Sequence, residues 1–335
     1  MRNIYLRNLL FWGLLFSLCA VEATAQQEAL FSQFEHNQMY YNPAYAGHGQ
    51  KTCAQLLIRE QNTGFGNQAT TAADGNLSTQ YLTLNAPINW PVGLNADGGG
   101  IGLSILNDQA DAIGRTGLNV SGSYKRETGI GLISGGLNIG FIQTSIEGDF
   151  QASDPNDPIV EELNSGGLND MVLDVGFGAY LTADNYYAGV STLHLNEPSY
   201  SWTSGSVSNV FRVFYLVGGY KTAINEAITF EPAAFVRFDK SKWQIDLNPA
   251  VHFAGKYWAG IHIRSDPFNN TLRLNEVSLN GGVNLSPRLK LGYNYDLPTS
   301  ELSTYAGSHE FFVRYCFDIQ TEPVYQTPER NTRDL

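Results

Sequence analysis

Beyond residue 26 this 335-residue sequence holds no apolar stretch long enough to cross a membrane as a helix, which takes about 20 residues. Charge is scarce too: Asp, Glu, Lys and Arg make up 16% of the chain, against roughly 25% in soluble domains. There are three cysteines and one of them, Cys19, lies near the start, so a disulfide-rich framework is excluded. Catalytic and metal-binding patterns are missing as well. The run Gly98-Gly99-Gly100-Ile101-Gly102 lacks phosphate-loop spacing and opens a strand pattern. No nucleophile-elbow sequence occurs. Histidines 36, 48, 194, 252, 262 and 309 show no ligand spacing, and His309-Glu310 is not followed by a second histidine. We therefore expect no enzyme activity, no cofactor and no metal centre.

The first 25 residues have a clear purpose. Arg2 and Arg7 precede an apolar run from Leu9 to Val21, and Ala23-Thr24-Ala25 follows as a small-x-small exit. A basic tip, a short apolar core and a small-residue site make a secretory signal peptide. Lipidation at Cys19 is disfavoured by bulky Leu18 where that chemistry wants a small residue. Without residues 1–25 the chain keeps 18 basic and 31 acidic residues. That balance argues against nucleic acid as a partner.

What is abundant is glycine, at 34 residues, with 18 tyrosines and 18 phenylalanines. These residues alternate. Ile101, Leu103 and Ile105 oppose Gly100, Gly102 and Ser104. Leu118, Val120 and Tyr124 alternate with Asn119, Ser121 and Ser123, and Leu137, Ile139 and Phe141 with Gly136, Asn138 and Gly140. The same period of two runs through Leu173 to Leu181, Val277 to Leu285, Leu289 to Tyr295 and Phe311 to Phe317. A soluble β-sandwich alternates too. Here, however, the polar face is Gly, Ser and Asn rather than Lys and Glu, which suits a crowded interior. With no spanning helix, a closed barrel is the other structure that satisfies its backbone in lipid.

Fourteen strands are expected: 51–60, 77–86, 99–107, 115–125, 129–142, 172–182, 186–194, 211–221, 227–238, 243–253, 256–264, 275–285, 287–296 and 309–318. Connections after even strands are mostly tight. Those after odd strands are mostly long: 61–76, 143–171, 195–210, 265–274 and 297–308. Short turns on one rim and long loops on the other mark outer-membrane barrels. The predicted fold class is an all-β, antiparallel, transmembrane outer-membrane β-barrel of 14 strands. Its expected parts are a signal peptide (1–25), an N-terminal periplasmic segment (26–50), the barrel (51–318) and a flexible periplasmic tail (319–335), with outer-membrane lipid around the barrel and both termini periplasmic. Residues 26–50 are expected to pack at the periplasmic mouth and help close the lumen. The acidic stretch 143–171 is read as a solvated loop, since it lacks the ordered spacing of a calcium loop.

Cys53 and Cys316 fall on the inward faces of the first and last strands, which are neighbours in a closed barrel. Opposed residues point the same way, so a disulfide across the closing seam is expected if the register matches.

The mature N-terminus reads Phe31-Ser32-Gln33, then Asn42-Pro43-Ala44-Tyr45-Ala46-Gly47. Near the other end stand Gly292-Tyr293-Asn294-Tyr295-Asp296 and Gly307-Ser308-His309-Glu310. Between them come Gly102-Leu103-Ser104-Ile105 with Asn107-Asp108, Leu137-Asn138-Ile139-Gly140, and Gly189-Val190-Ser191 with His194-Leu195. In this order the segments resemble the PorP/SprF family of type IX secretion system membrane proteins. The chain departs from the family pattern after Arg59-Glu60-Gln61, where Asn62 replaces a usual aromatic. The resemblance implies an outer-membrane accessory of the type IX secretion machinery. It implies partners among periplasmic ring or motor components and the C-terminal domains of secreted cargo, including gliding adhesins. A channel or transporter for small hydrophobic or polar solutes is the alternative. His309 and Glu310 are expected to make structural hydrogen bonds rather than cargo contacts.

Overall fold

The structure is a computed structural model describing residues 28–49, 51–61, 77–88, 98–147, 160–161, 163–164, 167–201, 207–240, 242–268, 271–298 and 307–317. The expected signal peptide, the expected tail and most of the acidic stretch expected to form an outer loop lie outside the described residues.

Alternation becomes strands wherever it was legible. In chain order they are β1 (Thr52–Gln61), β2 (Leu77–Ile88), β3 (Gly98–Ala110), β4 (Ile113–Thr128), β5 (Gly131–Ile146), β6 (Leu168–Thr182) and β7 (Tyr186–Leu193). A small hairpin, β8 (Ser199–Ser201) and β9 (Val207–Asn209), follows outside the main sheet. Then come β10 (Val213–Tyr220) with its short continuation β11 (Thr222–Ala223), β12 (Ile228–Phe238), β13 (Trp243–Phe253), β14 (Tyr257–Phe268), β15 (Thr271–Asn284), β16 (Leu289–Pro298) and β17 (Ser308–Phe317). Each main strand pairs antiparallel with its sequence neighbours, β7 with β10 and β10 with β12, and β1 pairs with β17. Counting β10 and β11 as one strand, this is a closed 14-strand antiparallel barrel without a free edge. Closure pairs every strand's backbone polar groups, as lipid requires.

The burial pattern is inverted relative to a soluble protein. Leu137, Ile139 and Phe141 of β5 and Leu173 and Phe177 of β6 are exposed on the outside. Arg59, Lys125, Asp174, Asp246, His262 and Glu310 are buried inside. Apolar outside and polar inside is the pattern of a barrel solvated by lipid.

Two connections differ from the sequence reading. Residues 265–274, expected as an outer loop, belong largely to β14 and β15, which pair up to Phe268 and Thr271. The register shifts between Arg264 and Ser265; such a bulge puts neighbouring residues on one face. Arg264 and Ser265 are indeed both buried, so period two breaks where the strand continues. On the same rim β3 and β4 meet through Asp111-Ala112 alone, with Asp111 at φ 55°. The rim with turns 129–130, 183–185, 224–227, 254–256 and 285–288 is called the turn rim below, and the opposite one the loop rim.

Cys53 stands opposite Cys316 at the turn-rim end of the closing seam, and the structure joins them as a disulfide. Purified protein is expected to show one intact mass that gains two hydrogens on reduction; two alkylatable thiols before reduction would contradict the bond. Ile139 lies mid-strand on the outer face of β5. Ile139→Arg should cost about 2–4 kcal/mol of folding free energy in lipid vesicles, read from urea titration. An unchanged midpoint would mean that this face does not meet lipid.

Candidate functional site

Eight strands close around their own side chains, whereas larger barrels leave a lumen. Here the N-terminal segment fills it. Three short helical turns, Phe34–His36, Gln38–Tyr41 and Pro43–Tyr45, fold residues 28–49 into a compact body. Proline at the first position of the last turn lacks the N–H a helix start cannot use. The Asn42 side chain caps that turn by accepting the Ala44 N–H at 2.9 Å. Phe31 to Phe34 and His36 to Ala44 are buried without interruption. The segment was expected at the mouth; it occupies the lumen itself.

Three anchors hold it. The first is ionic and lies toward the loop rim. The Glu310 carboxylate accepts the backbone N–H of Ser32 at 2.8 Å and of Gln33 at 2.9 Å. Arg59, opposite Glu310 in the register, donates to it at 3.1 Å and pairs with Asp296 at 2.7 Å. Ser32 Oγ bonds Asp296 at 2.9 Å, and Arg59 donates to Ser32 Oγ at 2.6 Å. Arg264 extends the array, pairing with Asp246 at 3.0 Å and Glu276 at 3.2 Å and donating to the Phe31 carbonyl at 3.0 Å. His262 stands 3.3 Å from Asp246. Charge-assisted bonds are the strong kind, and burial raises both their strength and the cost of losing one partner.

The second anchor is steric and lies on the other wall. Asn42 donates to the carbonyls of Ala179 at 3.0 Å and Val190 at 3.3 Å. Ser191 Oγ bonds the Tyr41 carbonyl at 2.6 Å and Ser123 Oγ the Ala46 carbonyl at 2.7 Å. Lys125 donates to the Gly47 carbonyl, and the Gly47 N–H to Asn85 Oδ1. Backbone meets backbone here. A Cβ on Gly136 would lie 2.4 Å from the Ala44 nitrogen, and one on Gly100 would lie 2.3 Å from the Gly47 Cα. Gly47 itself is at φ 66°, a region glycine enters freely.

The third anchor is the first described residue. Glu28 bonds His194 Nε2 at 2.8 Å and Arg115 at 2.9 Å, while His194 Nδ1 meets Asp174 at 2.7 Å. His194 holds φ 55°, uncommon outside glycine, just past β7. Between the anchors an aromatic core joins segment to barrel: Phe31 on Tyr40 at 5.0 Å, Tyr41 on Phe235 at 4.6 Å, Tyr40 on Tyr81 at 5.2 Å and Phe34 on Phe235 at 5.3 Å. A cavity of about 40 Å³ remains beside Glu28, Arg115 and His194, room for a few waters.

Sequence motifs and structure coincide in part. Asn42, Pro43, Ala44, Tyr45 and Gly47 lie against the glycine wall of β3 to β7, and Glu310 holds Ser32 and Gln33. Ser308 is buried, and Gly307 packs beside Tyr295. His309 points outward instead and bonds the Tyr293 hydroxyl at 2.7 Å. Asn107 and Asp108 stand apart near the loop rim, where Asp108 accepts from Thr79. Arg59, Arg264, Asp246, Glu276 and Glu28 were not singled out from sequence. Their one signal is a charge at an inward strand position, or just after the expected signal peptide. Residue 62 lies outside the described residues. Among the described residues no cluster has the makeup of a metal site.

The family described as Type IX secretion system membrane protein PorP/SprF matches residues 23–315. No curated protein matches the chain. Among solved structures it is similar to a Pseudomonas aeruginosa FadL homologue, at 15% identity and TM-score 0.43, over 83% of this chain and 92% of that one. It is also similar to the Acinetobacter baumannii outer membrane protein Omp33, at 8% identity and TM-score 0.44, over 81% of this chain and 100% of the other.

Two outcomes follow for the seal. Gly136→Leu should expel it, so that limited proteolysis cleaves within residues 28–49, which stay resistant in the wild type. Gly135→Leu, where a Cβ meets nothing within 4 Å, should leave resistance intact. Equal behaviour of the two variants would contradict the packing. Second, burial raises the Glu35 carboxyl, which accepts from Asn248 Nδ2, to about 7. An acid whose folded pKa is raised stabilises the folded state fully below its unfolded value of about 4.5 and loses that contribution as pH rises through about 7. Seating of the segment should therefore weaken by up to roughly tenfold per pH unit between about pH 4.5 and about pH 7 and level off above that, and Glu35→Gln should remove that dependence in the same proteolysis assay.

Proposed function

The chain belongs to the PorP/SprF family and is an outer-membrane component of the type IX secretion system, and we propose that it supports secretion or surface anchoring of particular cargo proteins as a sealed scaffold rather than as a conduit. The observation that carries this reading is the filled lumen: a segment of the chain itself, buried and anchored on both walls, occupies the space a solute would need. In this reading work is done by binding and not by turnover, and no cofactor takes part. The turn rim faces the periplasm, where ring or motor components dock. The loop rim faces outward toward cargo C-terminal domains, a gliding adhesin among the candidates. Both termini belong to the periplasmic side during assembly, and the N-terminal segment is then drawn into the barrel.

The alternative, a channel or transporter for small hydrophobic or polar solutes, differs in one measurable property. Purified protein in planar bilayers should show no stable open state, and deletion of residues 28–40 should create one. In cells, deleting the gene should remove specific surface proteins without slowing small-solute uptake. A steady wild-type conductance, with uptake lost and surface proteins intact, would replace the scaffold reading with the channel.

A further inference from the structure

We propose that the β8–β9 hairpin at the loop rim controls the far end of the seal: the two are coupled through His194, and displacing the hairpin releases Glu28. The coupling begins with the direction in which the seal runs. Glu28 meets Arg115 near the loop-rim end of β4, while the Gly47 carbonyl meets Lys125 near its turn-rim end. These contacts are ten residues apart on one strand, about 34 Å of its length. The seal is therefore a strap threaded through the barrel, continuous with β1 at the turn rim and latched at the loop rim.

The latch belongs to the hairpin as much as to the barrel. β6 starts at Leu168, but β7 pairs with it only from Phe177 to Thr182. Beside the rest of β6, residues 194–201 take the place of a strand. The Leu195 N–H donates to the Val175 carbonyl at 2.8 Å. The Asn196 side chain accepts the Val175 N–H at 3.2 Å and donates to the Leu173 carbonyl at 2.7 Å. A bond from the Val210 N–H to the Pro198 carbonyl, 2.9 Å, closes the hairpin at its base. Its first strand is held to the wall at Ser201, whose N–H donates to Asp170 Oδ2 at 2.7 Å. Tyr200 packs with Val210 against Ile142 and Val172, within electrostatic reach of Arg115 and Glu28.

His194 is the first residue of this link. Carboxylates engage both its ring nitrogens, Asp174 of the wall at 2.7 Å and Glu28 of the seal at 2.8 Å. Its φ of 55° and the 43° of Glu197 are conformations that such residues keep only where their surroundings impose them. A hairpin drawn off β6 takes that constraint with it, and the imidazole turns from Glu28. The cavity of about 40 Å³ beside Glu28, Arg115 and His194 lets these side chains move without repacking the strands. The near end of the strap stays seated, because Gly136 and Gly100 hold it on the wall. The coupling stands on these contacts alone. Only the hairpin's place on the outer surface rests on the function proposed above.

Hydrogen–deuterium exchange of the full-length protein in detergent tests the coupling. Tyr200→Ala should speed exchange at the amides of Ala29 to Phe31 about tenfold or more, with Ala44 to Gly47 and β4 as slow as in the wild type. Gln143→Ala, which breaks a bond to Asn169 near the same rim, should change neither. Glu28→Gln should release the same amides, and adding Tyr200→Ala to it should do nothing further. Glu28→Gln should also speed exchange at Ser201 and Val210, since coupling acts in both directions. The proposal is overturned by Ala29 to Phe31 unmoved in Tyr200→Ala, by additive effects in the double variant, or by a hairpin indifferent to Glu28→Gln. The last measurement leaves the hairpin's own sequence intact, so it decides even where Tyr200→Ala does not fold. None of these results bears on conductance or on surface proteins, so the two readings fail separately.

Discussion

The structure depends on one carboxylate. Glu310, buried in the last strand, receives two consecutive backbone N–H groups of the N-terminal segment and is balanced by Arg59 from the first strand. The contact spans 278 residues of sequence and lies on the seam where the barrel closes. Chain start, first strand and last strand thus meet at one ionic point. The seal cannot seat there until the seam has formed, and the buried Glu310 carboxylate lacks two of its hydrogen-bond donors until the seal seats. Barrel closure and lumen filling are coupled in this account.

Such an arrangement is a poor way to gain stability and a good way to gain specificity. Desolvating Arg59, Asp296 and Glu310 costs several kcal/mol per ion, which their mutual attraction offsets only with good geometry. An apolar cluster of equal volume would hold a plug as well. What it would not do is fix one register. The ionic anchor accepts only a segment that presents free backbone N–H groups at Ser32 and Gln33 together with the Ser32 hydroxyl. The glycine wall adds a matching steric demand, since Gly136 and Gly100 admit the backbone of Ala44 and Gly47 and little else. Attraction on one wall and close approach on the other select the same pose.

Much of this was legible in the chain, and the limits have physical causes. Period two showed the strands because lipid on one side and a packed interior on the other impose it on every strand. The Gly, Ser and Asn face showed that the interior was crowded. It did not show with what, because a glycine beside another backbone and a glycine beside nothing have the same letter, as Gly136 and Gly135 demonstrate. The Arg264/Ser265 bulge hid the ends of β14 and β15, since it breaks the alternation by which strands are recognised. The Asn42 to Gly47 motif stood out as a turn, and its place in the lumen depended on contacts with strands 38 to 148 residues away. Arg59 was passed over because a single charge in a strand has many uses, and its partners Asp296 and Glu310 come from the other end of the sequence.

A wall that meets lipid and a lumen closed by the chain's own start are the two features on which the scaffold reading proposed above rests. Hydrogen–deuterium exchange at the amides of Ser32 and Gln33 tests the central claim most directly. The account predicts exchange as slow as that of β1 and β17 in the wild type and fast exchange confined to the N-terminal segment in Glu310→Gln. Wild-type amides at Ser32 and Gln33 exchanging as fast as an exposed peptide, with the strands still protected, would contradict it.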